Sequence, residues 1–144
     1  MSFKTLNKIY SFEMKKDIEI PEVKDVYIAI VKEYNKLFKN YDWNAYIINN
    51  KTVDLEMVLI VTSGFSENKS TATLRRKLDK LPAKSYAKLE LIPEELFALN
   101  NIFKVSFFEE NKMYDKTYVF RKNTINEKAL QPIPVMDVKG VLVK

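Results

Sequence analysis

The stretch EVKDVYIAIVKEYNKLFK, residues 22–39, carries the clearest periodic apolar pattern of the chain. Its apolar residues recur at intervals of three and four, which is the spacing of one face of an α-helix. Acidic residues begin the stretch and lysines end it, as the helix dipole favours, and Pro21 suits a first helical turn. The pattern therefore predicts one long amphipathic helix over 22–39. The predicted apolar face consists of Val23, Val26, Tyr27, Ile30, Val31, Tyr34, Leu37 and Phe38.

On the C-terminal side of this helix, β-branched and aromatic residues predict strands that pair as hairpins. Asn49-Asn50-Lys51 tolerates left-handed backbone and predicts the turn of a first hairpin, and a second hairpin is expected around residues 110–112. The run 55–61 is apolar except at Glu56, which predicts a strand covered on both faces at the centre of a sheet. The strands expected are 3–12, before the helix, and 43–48, 52–62, 85–92, 102–109 and 113–121 after it.

Shorter helices are expected between these strands. Residues 71–81 place three leucines on one helical stripe and end at Pro82, and single turns are expected over 93–99 and 124–130. The fold class predicted is α+β, with one long helix and short helices packed on a mainly antiparallel sheet of five to seven strands. The absence of repeats and linkers predicts a single domain over 1–144, of which 131–144 form a C-terminal extended or hairpin tail.

The residue types needed for most catalytic chemistry are missing from this sequence. The chain has no histidine and no cysteine, and its glycines are Gly64 and Gly140. Histidine is the usual general base and metal ligand, cysteine supplies thiolates, and clustered glycines cradle phosphates. We therefore expect no enzymatic activity, no cofactor and no metal ion.

Composition also bears on where the protein is expected to work. The longest aliphatic run, residues 57–61, is far shorter than the roughly 20 residues that span a bilayer. The N-terminus lacks the apolar core of a secretory signal, and the lack of cysteine fits a reducing compartment. We expect a cytoplasmic protein without a membrane partner.

Positive charge is concentrated in residues 69–90. Seven cations stand there against Asp79 and Glu90, which gives +5, equal to the formal net charge of the whole chain. Such a patch attracts phosphates or an acidic protein surface, although a solvated helix face that keeps the protein soluble has the same composition. The candidate binding residues are Lys69, Arg75, Arg76, Lys77, Lys80, Lys84 and Lys88.

The tail is the second candidate contact region. Residues 131–134 are held extended by two prolines, and residues 135–143 predict a small hairpin with Gly140 at a left-handed turn position. The tail either packs on its own domain, which we favour, or offers an edge to another chain. The interface candidates are Val135, Val141, Leu142 and Val143.

These observations favour a non-catalytic module for protein–protein interaction or assembly, whose partner is another chain or a second copy of this one. A first alternative is a nucleic-acid-binding accessory protein that uses residues 69–90. A second is a small-molecule-binding protein with a tyrosine-lined pocket between the predicted helix and the sheet.

Overall fold

The computed structural model describes residues 21–144, in which two antiparallel β-sheets pack face to face. One sheet has five strands in the order β5-β2-β1-β9-β8, and the other has four in the order β4-β3-β6-β7. The strands are β1 Val26–Asn35, β2 Asn40–Asn49, β3 Leu55–Phe65, β4 Leu74–Leu81, β5 Ser85–Leu91, β6 Asn100–Glu109, β7 Lys112–Phe120, β8 Gln131–Ile133 and β9 Val138–Val143. Short 3₁₀ helices at Glu94–Ala98 and Glu127–Ala129 complete the described residues. The strand expected over 3–12 lies outside them.

The predicted fold class, α+β, is wrong, because the described residues form an almost entirely β structure. The segment predicted as one long helix over 22–39 instead contains strand β1 and the turn that leads into β2. Strand β1 is buried on both faces, so its apolar residues are consecutive, and a consecutive run satisfies helical spacing as well as strand spacing. The lysines taken for a helix end, Lys36 and Lys39, lie in the turn.

The helix predicted over 71–81 is also wrong, since Leu74–Leu81 is strand β4. Leu74 and Leu78 are four residues apart, and an even spacing places both on one face of a strand as readily as on one face of a helix. The single turns expected over 93–99 and 124–130 exist as 3₁₀ helices. The second is capped by Asn126, whose side chain accepts a hydrogen bond from the Lys128 amide.

Strand positions were predicted better than strand partners. The hairpin of β6 and β7 is confirmed in continuous antiparallel register. The hairpin expected around Asn49-Asn50-Lys51 is wrong, because β2 and β3 enter different sheets. Strand β3 lies at the centre of the four-stranded sheet as expected, but one of its faces is open and leaves Leu59 38% exposed.

The core fills the space between the sheets. Side chains of β1, β2 and β5 meet those of β3, β6 and β7 in one cluster, whose largest fully buried members are Phe103, Phe107, Tyr118 and Phe120. The Tyr118 hydroxyl donates a 2.6 Å hydrogen bond to the Val26 carbonyl on the opposite sheet. Burial raises the pKa of this hydroxyl, so it remains a proton donor.

Within residues 21–144, no helix has the length and apolar character to cross a membrane.

The tail is a hairpin, but not the one predicted over 135–143 with its turn at Gly140. Strands β8 and β9 pair, and the turn falls at residues 134–137, where Val135 and Asp137 adopt the left-handed backbone. Gly140 lies inside β9 without a left-handed backbone. It is needed for close approach instead, because a Cβ there would lie 2.9 Å from the Ile30 carbonyl oxygen.

Replacing Ile30 and Leu59 separately with alanine tests this burial pattern. Ile30 is fully buried, so Ile30→Ala should lower the free energy of unfolding by about 2–5 kcal/mol. Leu59 faces out of the four-stranded sheet, so Leu59→Ala should cost about 1 kcal/mol or less. Urea unfolding followed by Trp43 fluorescence measures both, and equal losses would contradict the open face of β3.

Gly140→Ala tests the close contact between β9 and β1. The added methyl group must displace backbone, so we expect a loss of about 1–3 kcal/mol in the free energy of unfolding. Lys139→Ala, an exposed neighbour on the same strand, is the control and should stay within about 0.5 kcal/mol of the wild type. A neutral Gly140→Ala would show that β9 does not lie against β1.

Candidate interaction site

The β1–β2 hairpin extends past its neighbours in the five-stranded sheet. Strand β9 pairs with β1 at Ile28–Ile30, and β5 pairs with β2 at Asn44–Asn49. Residues 32–35 and 40–43 pair with each other and have no third strand beside them in the described chain. We call residues 32–43 the hairpin arm. Four residues of strand correspond to a reach of about 13 Å.

The tip of the hairpin arm exposes large apolar side chains. Leu37 is 82% exposed and Phe38 is 70% exposed, the highest values among the large apolar residues described. Tyr34 and Tyr41 flank them and form an edge-to-face pair with ring centroids 5.3 Å apart. The turn is ordered by Asn35, whose side-chain oxygen accepts hydrogen bonds from the Leu37 and Phe38 amides.

A polar network on the outer face of the five-stranded sheet holds the base of the hairpin arm. The Glu33 carboxylate accepts from the Asn44 amide at 2.9 Å and from the Tyr46 hydroxyl at 2.6 Å, and Asn35 donates to Asp42 at 2.8 Å. The pKa of the Tyr46 hydroxyl is raised mainly by burial and to a smaller extent by the hydrogen bond to Glu33, so the hydroxyl stays a proton donor. These bonds cross from β1 to β2 and fix the two strands together.

Lys32 anchors the other face of the arm. Its ammonium group forms an ion pair with Glu127 and lies 5.1 Å from the centre of the Tyr41 ring. The hydrogen bond to Glu127 raises the pKa of Lys32 and lowers that of Glu127, so both groups are charged at neutral pH. Lys36 and Lys39, at the exposed tip, form no salt bridge within residues 21–144.

An apolar cleft opens where β4 and β5 separate at one edge of the sandwich. Along the inward face of β4, burial falls from Leu81, which is 3% exposed, through Leu78 to Leu74, which is 53% exposed. The space uncovered there is the edge cleft, with a volume of about 230 Å³. Its lining residues are Thr62, Ser63, Gly64, Thr71, Ala72, Leu74, Glu90, Ile92, Leu96, Asn101, Ile102 and Phe103.

A second, wider cavity adjoins the edge cleft and shares Thr71 and Leu96 with it. Its volume is about 670 Å³, and its charged lining residues are Lys69 and Glu95. The edge cleft itself has one charged lining residue, Glu90. The two cavities thus adjoin in one groove, whose charged lining residues are Glu90, Glu95 and Lys69.

The basic segment predicted over 69–90 is exposed but is not one surface. Lys69 lies in the β3–β4 loop, and Lys84 lies in the β4–β5 turn, where it donates to the carbonyl of Asn50. Lys88 is on β5 in the other sheet. The structure therefore separates these three cations from the four on strand β4, which are Arg75, Arg76, Lys77 and Lys80.

Strand β4 is an edge strand, and its charges divide between its two faces. Arg75 and Lys77 pair across from Val61 and Leu59 on the outer face, and Arg76 pairs across from Ile60 on the inward side. Lys104 flanks Val61 from the other side and joins the outer cluster. Lys104 could not be predicted as part of this cluster, because its place beside Val61 follows from the pairing of β3 with β6 and not from a local sequence pattern. Charged side chains on an edge strand also hinder unwanted strand pairing.

Charge reversal of Arg75 and Arg76 tests the nucleic-acid alternative. Both side chains are exposed, so Arg75→Glu/Arg76→Glu should change the free energy of unfolding by about 0.5 kcal/mol or less. If β4 binds polyanions, the variant should lose retention on a heparin column. Lys122→Glu/Lys128→Glu, which makes the same charge change at other exposed positions, is the control. Retention that both variants preserve would contradict nucleic-acid binding by β4.

The four interface candidates of the tail pack on their own sandwich. Val141 and Val143 join the core between the sheets, and Val135 and Leu142 pack against a second cluster on the outer face of the five-stranded sheet. That cluster contains Ala29, Val31, Tyr46, Ile48 and Ile133. The tail therefore covers its own sheet and leaves these four side chains little free surface.

The fold and these surfaces define an antiparallel β-sandwich with a projecting hairpin and an open edge. In the described residues, no three side chains that bind metals through acidic, thiol or imidazole groups come together. No known protein family, curated protein or solved structure matches the chain. The hairpin arm and the edge cleft are thus the features on which a function can be argued.

Proposed function

We propose that this protein is a non-catalytic, cytoplasmic protein–protein interaction module and that the hairpin arm is its contact element. The observation that carries the proposal is the exposure of Leu37 and Phe38 at the tip of an otherwise anchored ribbon. Apolar and aromatic side chains surrounded by polar groups are the usual composition of an interface centre. The flanking Lys36 and Lys39 favour a partner with acidic groups around an apolar pocket.

The order of the arm supports this role. Its base is fixed by hydrogen bonds to Glu33 and by the ion pair of Lys32 with Glu127, and its turn is fixed by Asn35. A contact element held in one conformation loses less conformational entropy on binding than a flexible loop does. An ordered, exposed apolar tip is therefore suited to insertion into a partner's pocket.

The alternatives have less support. A small-molecule pocket lacks the support expected for it, because residues 22–39 are not helical and no tyrosine lines the edge cleft. Nucleic-acid binding by β4 would need aromatic residues beside Arg75 and Lys77. In the described chain one exposed aromatic residue, Phe65 at the end of β3, shares their face of the sheet. Single-strand binders interleave several aromatic residues with their cations.

Photo-crosslinking from the arm tip tests the proposal. A benzophenone amino acid placed at position 38 should give a discrete crosslinked protein in native lysate, because this side chain would lie inside the interface. The same probe at Met113, which is 55% exposed beside the β6–β7 turn, is the matched control from the other sheet. The adduct at 38 should disappear when Leu37 is also changed to serine.

Identical adducts from positions 38 and 113, or none from either, would contradict an interaction through the arm. Leu37→Ser/Phe38→Ser should unfold at nearly the same urea concentration as the wild type, since both side chains are outside the core. A large loss of stability would instead show that the tip is part of the fold.

A further inference from the structure

We infer that the hairpin arm docks in the edge cleft of a second copy of this chain, with Phe38 as the inserted side chain. This inference rests on the proposed function and names the partner. The two surfaces belong to one molecule but are not joined within it, because Phe38 remains 70% exposed. Each copy therefore offers an unfilled cleft and an unburied tip.

Size and polarity match between the two surfaces. The walls of the edge cleft are largely apolar and include Ala72, Leu74, Ile92, Leu96 and Phe103. Its volume of about 230 Å³ exceeds the roughly 150 Å³ of an apolar cavity that accepts benzene in another protein. The phenyl ring of Phe38 is a group of that kind, and Leu74 at the lip is itself half-exposed and available for contact.

Charge also matches. Between Tyr34 and Tyr41 the tip carries Lys36 and Lys39 and no acidic residue. On the receiving side, Glu90 lines the edge cleft and Glu95 lines the adjoining cavity, where Lys69 is the one cation. The two cations of the tip thus meet a recess whose charged lining residues, Glu90, Glu95 and Lys69, carry a net negative charge, which favours this orientation of docking.

The arm and the cleft lie at the same end of the sandwich. At the base of the arm, the Trp43 ring meets the Phe97 ring edge to face, with ring centroids 5.5 Å apart. The Trp43 carbonyl accepts a hydrogen bond from the backbone amide of Ile92, which lines the cleft. Two copies that face each other through this end can exchange both arms at once about a two-fold axis. Such an exchange is self-complementary and closes as a dimer.

Sedimentation of the purified chain over a concentration series tests this docking. The wild type should show a monomer–dimer equilibrium. Leu37→Ser/Phe38→Ser should weaken dimerisation by roughly 100-fold or more, because the buried apolar area is lost. Ala72→Trp, which fills the cleft from an exposed position, should do the same. Met113→Ser/Val119→Ser on the four-stranded sheet is the matched control and should dimerise normally.

A charge exchange separates docking from a general effect on solubility. Lys36→Glu/Lys39→Glu and Glu90→Lys/Glu95→Lys should each weaken the dimer roughly five- to twentyfold, and an equimolar mixture of the two variants, or the combined variant, should recover it. Recovery in the combined variant supports contact between these groups across copies.

A wild type that is monomeric at about 1 mM, or a dimer insensitive to the arm and cleft variants, would overturn the inference. Either result would leave the proposed function open to its own test, since the probe at position 38 would then crosslink to a different protein. A crosslinker at position 38 that forms no adduct with any protein would instead contradict the proposed function itself.

Discussion

Burial of β1 on both faces is the constraint from which the rest of the fold follows. Ile28 and Ile30 face the four-stranded sheet, whereas Ala29 and Val31 face away from it. A strand of this kind needs two covers, because the second set of side chains is as apolar as the first. The four-stranded sheet supplies one cover, and the β8–β9 hairpin supplies the other through Ile133 and the turn that follows it. The tail is therefore part of the sandwich and explains why Gly140 must lie against β1.

The same double burial explains why the long helix was wrongly predicted. An uninterrupted run such as YIAIV fits every periodicity, and only its content of β-branched residues favours a strand. Helical spacing in β4 failed for a related reason, because leucines four apart share a face in either structure. Strands with polar and apolar residues in alternation, such as β6, could be predicted, since their pattern matches one period only. Pairing of β2 and β3 with different sheets depends on the core and is not encoded in the connecting turn.

The candidate site was predictable only in its parts. Exposure of the basic residues of β4 follows from their composition, but their division between two faces and the addition of Lys104 follow from strand register. The arm was not predictable from the sequence, because helical spacing places Leu37 and Phe38 on a buried apolar face. In the structure they are the most exposed large apolar residues described. The edge cleft is invisible to any local pattern, since its walls come from segments distant in sequence.

The balance of forces in the hairpin arm argues for a contact outside a single copy of the chain. A two-stranded ribbon without a third strand is marginally stable in water. Here it is stabilised by a partly buried network around Glu33, by Lys32 and by the edge-to-face pair of Tyr34 and Tyr41, none of which needs Leu37 or Phe38. Polar residues at those two positions would preserve every hydrogen bond of the turn, because Asn35 binds the backbone amides. The apolar side chains therefore add nothing to the arm itself, and the physical role left to them is to be buried by a surface that this copy does not provide.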